Sequence, residues 1–545
     1  MKKGKVLALI LALAAMLTMA LPLTAFAVRD PNGSIQITPT TANASVDGQT
    51  FKAFKIFDLV PTAGNDGFIY TLNPAYAGFE TSYAAKLGTA SLKDYILGML
   101  DTNGDMNPAR QEDLEDMARA LWNWSETNGS AITVTGTETG VNFPTVLEGY
   151  YVVAGAAKFG ASEAKTFAAL CTVKAGSNPT VVALKGDAPS IKKYVKNDNN
   201  DAWEKWTDAD ITENVQFKLD AIVPNTEHYE SYTYKVIDTM SAGIDFVSIA
   251  SVIAYKGTAE DELTVLDGEY TFSQDSGTNS FTITVPSAKI MALSAAGYEN
   301  IVIIYNAKLN ENAVIESVGN PNEVVLKYSN DPNWQGAGEE PIGTTPKADA
   351  WIYTYKLDSF KYTDKTTASE GTPLAGVKFQ LEDGSGNVAS FTGNYVFNGF
   401  VAKSDPAAAN TIFETDTNGK IFIKGLDAGN YIWVEYAALP GFNPVADIPV
   451  TIYNALLDNA AIADMAALIT YLNAHRGEVN TGASLLNYGG KVAQDVLNVY
   501  NGKGSQFPGT GGMGVYIFYG ISAVLTAGLV IFFLARRRKN ILDAN

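Results

Sequence analysis

The stretch 189–195, Pro-Ser-Ile-Lys-Lys-Tyr-Val, alternates between apolar and polar side chains. Successive side chains of an extended strand point to opposite faces, so Ile191, Lys193 and Val195 share one face, and Lys192 and Tyr194 share the other. Similar short runs rich in Val, Ile, Thr, Tyr and Phe recur along the chain between Gly, Asn and Asp clusters. This pattern predicts an all-β protein built from tandem immunoglobulin-like β-sandwiches.

The chain of 545 residues is too long for one hydrophobic core, so several modules are expected. Gly, Pro and Asn accumulate at 178–189 and 336–347, as they do in linkers. The predicted modules are therefore 28–188, 189–345 and 346–506. Apolar residues at helical spacing predict two short helical insertions on these sandwiches, at 91–126 and 457–475.

The composition excludes several function classes. The chain has 39 Lys and Arg against 58 Asp and Glu, and a net charge of -19 argues against a nucleic-acid partner. The two histidines, His228 and His475, lie in different modules without a metal-spaced or catalytic neighbour in sequence. We therefore expect no multi-turnover enzyme, no cofactor and no metal. The single cysteine, Cys171, excludes an internal disulfide and is expected to be a buried small hydrophobic residue, the alternative being a free reactive thiol.

The segment 101–112 has the oxygen spacing of an EF-hand calcium loop, with Asp101, Asn103, Asp105 and Glu112 at the ligand positions. Met106 occupies the position where such a loop needs glycine. A turn between two helices is the favoured interpretation.

Both ends of the chain carry targeting signals. A basic start, an apolar stretch and the ending Ala-Phe-Ala predict a secretory signal peptide over 1–27, cleaved after Ala27. Residues 514–535 are uncharged and long enough to span a bilayer, and four basic residues follow at 536–539, which predicts a membrane segment with a cytoplasmic tail. An ordinary tail-anchored protein would share these last two features.

The motif that precedes this segment resembles the LPXTG sorting signal of Gram-positive surface proteins. Its residues are Phe507, Pro508, Gly509, Thr510 and Gly511, and Phe507 replaces the commoner leucine. The order of motif, apolar span and basic tail over 507–545 is that of a complete cell-wall sorting signal. The resemblance implies that a sortase attacks the Thr510 carbonyl, releases the chain from Gly511 onward and transfers the acyl group to an amine. The protein would then be secreted and wall-anchored, and held in the membrane only before sorting.

Strand alternation also directs a lysine, a carboxylic acid and an asparagine into the core of the middle module. Lys193 shares the face of its apolar neighbours, Asn330 shares the face of Val324, Leu326 and Tyr328, and Asp238 shares the face of Tyr232, Tyr234 and Val236. Burial disfavours the charge on a lysine and on an acid alike, which lowers an amine pKa or raises an acid pKa. These are the conditions that amide chemistry between a lysine and an asparagine needs.

The third module repeats the arrangement. Lys361 has the strand parity of Tyr355 and Leu357, Asn501 has that of Leu497 and Val499, and Glu435 lies in the run Tyr-Ile-Trp-Val-Glu-Tyr at 431–436. The alternative for any single inward lysine is a surface residue placed on the wrong face by a register slip. Two parallel sets favour the inward interpretation.

Several stretches resemble known pilin domains. Those at 235–244, 319–322 and 328–332 resemble the middle domain of SpaA-like major pilins, and those at 373–381, 415–421, 425–431 and 499–504 resemble a Cna B-type domain. In that family each such domain closes a Lys–Asn isopeptide bond promoted by Asp or Glu. The resemblance implies a bond from Lys193 to Asn330 with Asp238, and a bond from Lys361 to Asn501 with Glu435. Lys52 and Lys55 lie in a strand-like run of the first module, but no asparagine partner is evident there.

The run Val-Val-Ala-Leu-Lys-Gly-Asp at 181–187 resembles the pilin motif, which implies that Lys185 is the amine that accepts the Thr510 acyl group. The chain would then be the shaft subunit of a pilus, joined head to tail to identical subunits by a pilin-specific sortase. A housekeeping sortase would attach the last subunit to peptidoglycan, and minor pilins and host surface ligands would be further partners. The alternatives are a minor pilin or single-copy wall-anchored adhesin, with Lys185 as a solvated linker lysine.

Overall fold

The computed structural model describes residues 32–39, 44–62, 68–176, 178–197, 201–257, 263–315, 319–336, 338–404, 410–453, 485–488, 491–494 and 496–503. The predicted signal peptide, the helix expected at 457–475, the sorting motif 507–511 and the apolar span 514–535 lie outside these ranges. Within them, no helix is long and apolar enough to cross a membrane.

The described residues of the first module form ten strands in two sheets. They are β1 (Asn32–Thr38), β2 (Ala44–Ser45), β3 (Thr50–Pro61), β4 (Phe68–Leu72), β5 (Ala131–Thr135), β6 (Val141–Leu147), β7 (Gly149–Phe159), β8 (Ser162–Lys165), β9 (Ala169–Val173) and β10 (Thr180–Ala183). One sheet has the order β10-β1-β6, and the other has the order β2-β7-β3-β4, with β5 on β3 and both β8 and β9 on β7. Cys171 lies buried on β9, and burial raises the pKa of its thiol to about 12.

Helices cover the outer face of the larger sheet. They are α1 (Ala77–Ser82), α2 (Ala84–Leu87), α3 (Leu92–Leu97) and α4 (Gln111–Asn128). The predicted helix at 91–126 is interrupted between α3 and α4, where Asp101 Oδ1 accepts hydrogen bonds from the amides of Asn103 and Asp105. The calcium-loop pattern thus forms a turn between helices. Trp122 of α4 packs edge-on against Phe54 of β3, with 5.6 Å between ring centroids, which anchors the helix on the sheet.

The part of the middle module that the structure describes is a sandwich of thirteen strands. They are β11 (Ile191–Lys196), β12 (Trp203–Glu204), β13 (Trp206–Asp208), β14 (Asn214–Ile222), β15 (Tyr234–Met240), β16 (Ile244–Tyr255), β17 (Leu263–Val265), β18 (Thr271–Asp275), β19 (Ser280–Val285), β20 (Asn300–Leu309), β21 (Asn320–Ser329), β22 (Ile342–Thr344) and β23 (Ala348–Tyr353). One sheet runs β12-β11-β14-β20-β16-β17, and the other runs β13-β23-β21-β15-β19-β18, with β22 on β21. A helix, α5 (Ser287–Ala295), connects β19 to β20.

The third module begins one strand later than predicted. The strand β23 pairs with β21 and β13, so it belongs to the middle module although it lies beyond the expected boundary at 345. The linker-like composition of 336–347 instead forms the loop around β22, where Gly336 and Gly338 adopt positive φ angles of 76° and 77°.

The described strands of the third module form one continuous sheet that folds around its own core. They are β24 (Tyr355–Thr363), β25 (Thr372–Pro373), β26 (Lys378–Glu382), β27 (Asn387–Thr392), β28 (Val396–Ala402), β29 (Phe413–Glu414), β30 (Lys420–Leu426), β31 (Gly429–Ala437), β32 (Ile448–Tyr453), β33 (Leu485–Tyr488), β34 (Lys491–Gln494) and β35 (Leu497–Tyr500). The order is β25-β24-β30-β28-β27-β26-β31-β32-β33-β34, with β29 on β26 and β35 on β24. The predicted all-β fold of tandem modules with helical insertions is confirmed.

Candidate crosslinking sites and acceptor lysine

Lys193 lies in the core of the middle module, on the face that strand alternation predicts. Ile191, Lys193 and Val195 are all buried on β11, and Lys193 is 0% exposed. Its Nζ donates hydrogen bonds to the carboxylate of Asp238 and, over 2.9 Å, to Tyr305 Oη. Since β11 and β15 belong to opposite sheets, this contact crosses the sandwich.

The asparagine at this site is Asn322. In the antiparallel pair β15–β21, Asp238 lies opposite Val324 and Met240 lies opposite Asn322, so Asn322 is a diagonal neighbour of Asp238 on the same face. Asn322 Nδ2 donates to Tyr305 Oη over 2.6 Å. Its Oδ1 is buried, and no described residue donates a hydrogen bond to it. The amine, the acid and the amide therefore meet around one phenol.

The structure corrects the predicted partner Asn330. This residue follows the last residue of β21 and lies eight positions beyond Asn322, a span of about 26 Å in extended chain. Its backbone is held instead by Pro341 and by Lys165 of the first module. Asn322 and Asn330 have the same strand parity, so alternation could not distinguish them. The register between β15 and β21 decides which one faces Asp238.

Tyr305 is a site residue that the sequence analysis missed. It lies on β20, where its Oη accepts hydrogen bonds from Lys193 and Asn322 and donates one to Asp238 Oδ1 over 3.0 Å. The inward parity of Tyr305 was readable from the sequence, but the same is true of many of the 27 tyrosines. Only the packing of the two sheets assigns it to this site.

Burial shifts the protonation of this site toward neutral groups. Burial lowers the pKa of Lys193 to about 8, although the adjacent Asp238 carboxylate opposes the shift. Burial likewise raises the pKa of Asp238, against the influence of Lys193 and of its hydrogen bonds. A neutral amine beside a protonated acid is therefore favoured relative to the same groups in water.

The third module brings together all three of its predicted residues. Lys361 lies on β24 with a buried side chain, and its Nζ is 3.0 Å from Glu435 Oε2. Asn501 Nδ2 lies 3.5 Å from Glu435 Oε1, and Asn501 Oδ1 is buried without a hydrogen bond from the described residues. The parallel pairing of β24 with β35 sets Lys361 opposite Val499, which places Asn501 two residues further along. The amide of Val445 donates to Glu435 Oε2 over 3.0 Å and helps to hold the carboxyl group.

The electrostatics of this second site resemble those of the first. Burial lowers the pKa of Lys361, while Glu435 acts in the opposite direction. The lysine Nζ also lies 5.3 Å from the centre of the Phe379 ring, so its surroundings are largely apolar. In the first module, by contrast, every lysine within the described ranges is at least partly exposed, and Lys52 forms a surface ion pair with Glu126 at 3.0 Å.

Lys185 follows β10 at the junction of the first two modules. Its side chain is 39% exposed, and its Nζ lies 3.6 Å from Glu115 Oε1 of α4 and 5.8 Å from the centre of the Phe167 ring. It lines a groove with His228, Tyr229 and Pro332 of the middle module. The amine is therefore accessible, unlike those of Lys193 and Lys361.

The sortase motif and the signal cleavage position lie outside the described residues. The predictions for Phe507, Pro508, Gly509, Thr510, Gly511 and Ala27 therefore stay predictions.

Two family models match the modules that contain the buried sites. Residues 211–332 match the Cna-B-like domain of Gram-positive pilin backbone subunit 2, a range that includes Asp238, Tyr305 and Asn322. Residues 361–462 match the SpaA prealbumin-like fold domain, a range that includes Lys361 and Glu435.

Two comparisons with individual proteins agree with these matches. The chain is 23% identical over 397 residues to the trypsin-resistant surface T6 protein of Streptococcus pyogenes serotype M6, covering 65% of this chain and 70% of that protein. The solved structure of the T6 backbone pilin, described as a modular three-domain protein, superposes with a TM-score of 0.52 at 17% identity, covering 77% of this chain and 80% of that one. The chain is therefore similar to the Gram-positive backbone pilins, and parts of its middle and third modules match the pilin-backbone Cna-B-like and SpaA prealbumin-like domain models.

Proposed function

We propose that this protein is the shaft subunit of a covalently polymerised, wall-anchored pilus, and that two internal isopeptide bonds stabilise it. The observation that carries the proposal is the pair of buried Lys–acid–Asn sites, one in the middle module and one in the third. A subunit that transmits force along a fibre without disulfides needs another covalent reinforcement. Two lysine–asparagine bonds would supply it.

The bond in the middle module would form between Lys193 and Asn322. The neutral amine attacks Cγ of Asn322, while the protonated carboxyl group of Asp238 polarises the amide carbonyl. The new C–N bond forms as the bond to the side-chain nitrogen breaks, and Asp238 carries a proton from Nζ to that nitrogen, which leaves as ammonia. Tyr305 holds all three groups in place, and the dry core prevents water from competing.

In the third module Glu435 would play the part of Asp238 for Lys361 and Asn501. The first bond would join the two sheets of a sandwich, and the second would join the first strand of a module to the residue after its last described strand. Each domain is its own substrate and reacts once.

Polymerisation would use Lys185 and Thr510. The sortase acyl-enzyme formed at Thr510 of one subunit would transfer its acyl group to Lys185 Nζ of the next, and the accessible amine at the module junction supports this role. Peptidoglycan would receive the last subunit, and the product would be a fibre on the cell surface.

The test is the Lys185→Ala variant, expressed in the native host. We expect the high-mass ladder in cell-wall extracts to disappear while wall-attached monomer remains. Lys158→Ala is the matched control, because Lys158 is an exposed lysine of the same module. An unaltered ladder in Lys185→Ala would refute this acceptor, whereas a wild-type protein that never forms a ladder would favour a single-copy wall-anchored adhesin.

A further inference from the structure

A groove of about 210 Å³ surrounds Lys185, and residues of two modules form it. Lys185 comes from the end of the first module, whereas Asn225, His228, Tyr229 and Pro332 come from loops of the middle module. The proposed polymerisation mechanism uses only Lys185 from this groove. The surrounding polar groups therefore need an explanation.

Glu115 lies beside the lysine, with a polar side chain near each of its carboxylate oxygens. Its Oε1 accepts a hydrogen bond of 2.8 Å from Gln111 and lies 3.6 Å from Lys185 Nζ. Its Oε2 lies 3.4 Å from Nδ1 of His228, a nitrogen that forms no hydrogen bond with any described residue. The three polar side chains around the carboxyl group come from α4, from the segment after β10 and from a loop of the middle module. The cluster is therefore complete only when the two modules are docked.

Packing around Phe167 fixes the position of His228. The imidazole stacks on the Phe167 ring, with 4.5 Å between centroids and an angle of 17° between the planes. On the same ring lies the guanidinium group of Arg119, 5.2 Å from its centre, and Arg119 donates to the His228 carbonyl oxygen over 3.1 Å. The histidine therefore has little freedom to leave Glu115.

The charges of the cluster favour an ionised Glu115 and a neutral His228. Burial acts to raise the pKa of Glu115, but the Gln111 hydrogen bond, His228 and Lys185 together bring it below its ordinary value. Burial lowers the pKa of His228, and the nearby Lys185 adds to this, against the influence of Glu115 and Glu227. Other charged groups at this junction already have partners: Arg119 pairs with Asp116 and Glu230, and Lys165 pairs with Asp331. Asp187 accepts hydrogen bonds from the amides of Asn225 and Ala188.

We propose that Glu115, oriented by Gln111 and flanked by His228, is a catalytic base for the acceptor lysine: it holds Nζ at the groove and accepts the proton that the amine releases on transfer. The inference rests on the proposed role of Lys185. In the transfer, the neutral amine forms a C–N bond to the thioester carbonyl carbon of the acyl-enzyme. The C–S bond then breaks, the cysteine sulfur leaves as a thiolate, and the surplus amine proton passes to Glu115 and on to solvent.

The experiment measures how one acyl-enzyme divides between two amines. A pilin-class sortase is loaded with a peptide containing the sequence of 505–511, and the secreted chain 28–510 with Thr510→Ala competes with hydroxylamine for the acyl group. Mass spectrometry gives the ratio of peptide–protein adduct to peptide hydroxamate. Because both products come from the same intermediate, the ratio is independent of how fast the acyl-enzyme forms.

We expect Glu115→Gln to lower this ratio about tenfold, less than the loss of a buried base causes, because water also reaches Lys185. Glu115→Asp retains a carboxylate and is expected to recover part of the ratio. Glu112→Gln is the matched control, with the same charge change at an exposed position of the same helix, and it is expected to leave the ratio unchanged. The Glu115→Gln deficit should shrink as the pH rises, because hydroxide in the solvent can then accept the amine proton in place of Glu115, whereas a deficit from distorted structure would persist.

Three results separate the hypotheses. A Glu115→Gln ratio within threefold of wild type, in protein with an unchanged melting temperature, would overturn the role of Glu115. A Glu115→Gln ratio that is reduced equally at every pH, and is equally low in Glu115→Asp, would also overturn the role of Glu115. Such a result would indicate a structural effect of the substitution. Adduct formation by a Lys185→Ala chain at the wild-type ratio would instead remove the acceptor itself, and the proposed polymerisation mechanism with it.

Discussion

Replacing Asn322 by alanine tests the corrected crosslink of the middle module. The Lys193–Asn322 bond would close a loop of about 130 residues, and the chain-entropy treatment used for disulfides assigns such a closure about 5 kcal/mol of stability. The module should lose this contribution in Asn322→Ala. For a slope of about 2 kcal/mol per M urea, the unfolding midpoint should fall by roughly 2–3 M.

The assay combines intact mass with urea unfolding of the secreted chain 28–510. Wild-type protein should be lighter than its sequence mass by two ammonia masses, and Asn322→Ala should be lighter than its own by one. Asn330→Ala is the matched control, because this half-buried asparagine lies at the opposite end of β21, and it should keep both bonds and the wild-type midpoint. Two ammonia losses in Asn322→Ala, or a single loss in Asn330→Ala, would show that the assignment from strand register is wrong.

Two further predictions concern groups around these sites. Tyr305→Phe keeps the ring that packs 4.9 Å from Phe281 but removes the hydroxyl shared by Lys193, Asp238 and Asn322. Crosslinking should therefore slow by about tenfold, measured as the time course of ammonia loss after cell-free synthesis. A wild-type time course would exclude a role for this hydroxyl. The Arg119 side chain is 7% exposed and donates to the carbonyl oxygens of Pro332 and His228 across the module junction. Arg119→Ala should therefore destabilise the docking of the first and middle modules by about 2–4 kcal/mol and expose the segment 186–190 to proteolysis. The control is Arg110→Ala, at a more exposed arginine next to the same helix, which should leave cleavage unchanged.

The sequence alone predicted the features that depend on local geometry. A strand has a side-chain period of two, so the apolar neighbours of Lys193 and Lys361 were enough to predict that these lysines face the core. The structure brings Lys361, Glu435 and Asn501 together as predicted, because the resemblance to a Cna B-type domain covered both ends of that module. The turn at 101–105 was also predictable, because it depends on neighbouring residues.

The tertiary structure decided everything that depends on which strands meet and where. Asn322 and Asn330 share parity on one strand, and only the register of β21 against β15 selects Asn322. Tyr305 joins the site through the packing of two sheets, and His228 meets Glu115 only because two modules dock. Periodicity is encoded in adjacent residues, but register and docking come from contacts between segments far apart in the chain. That is why the sequence alone indicated that Lys193 and Asp238 face the core, and the fold determined which asparagine they meet.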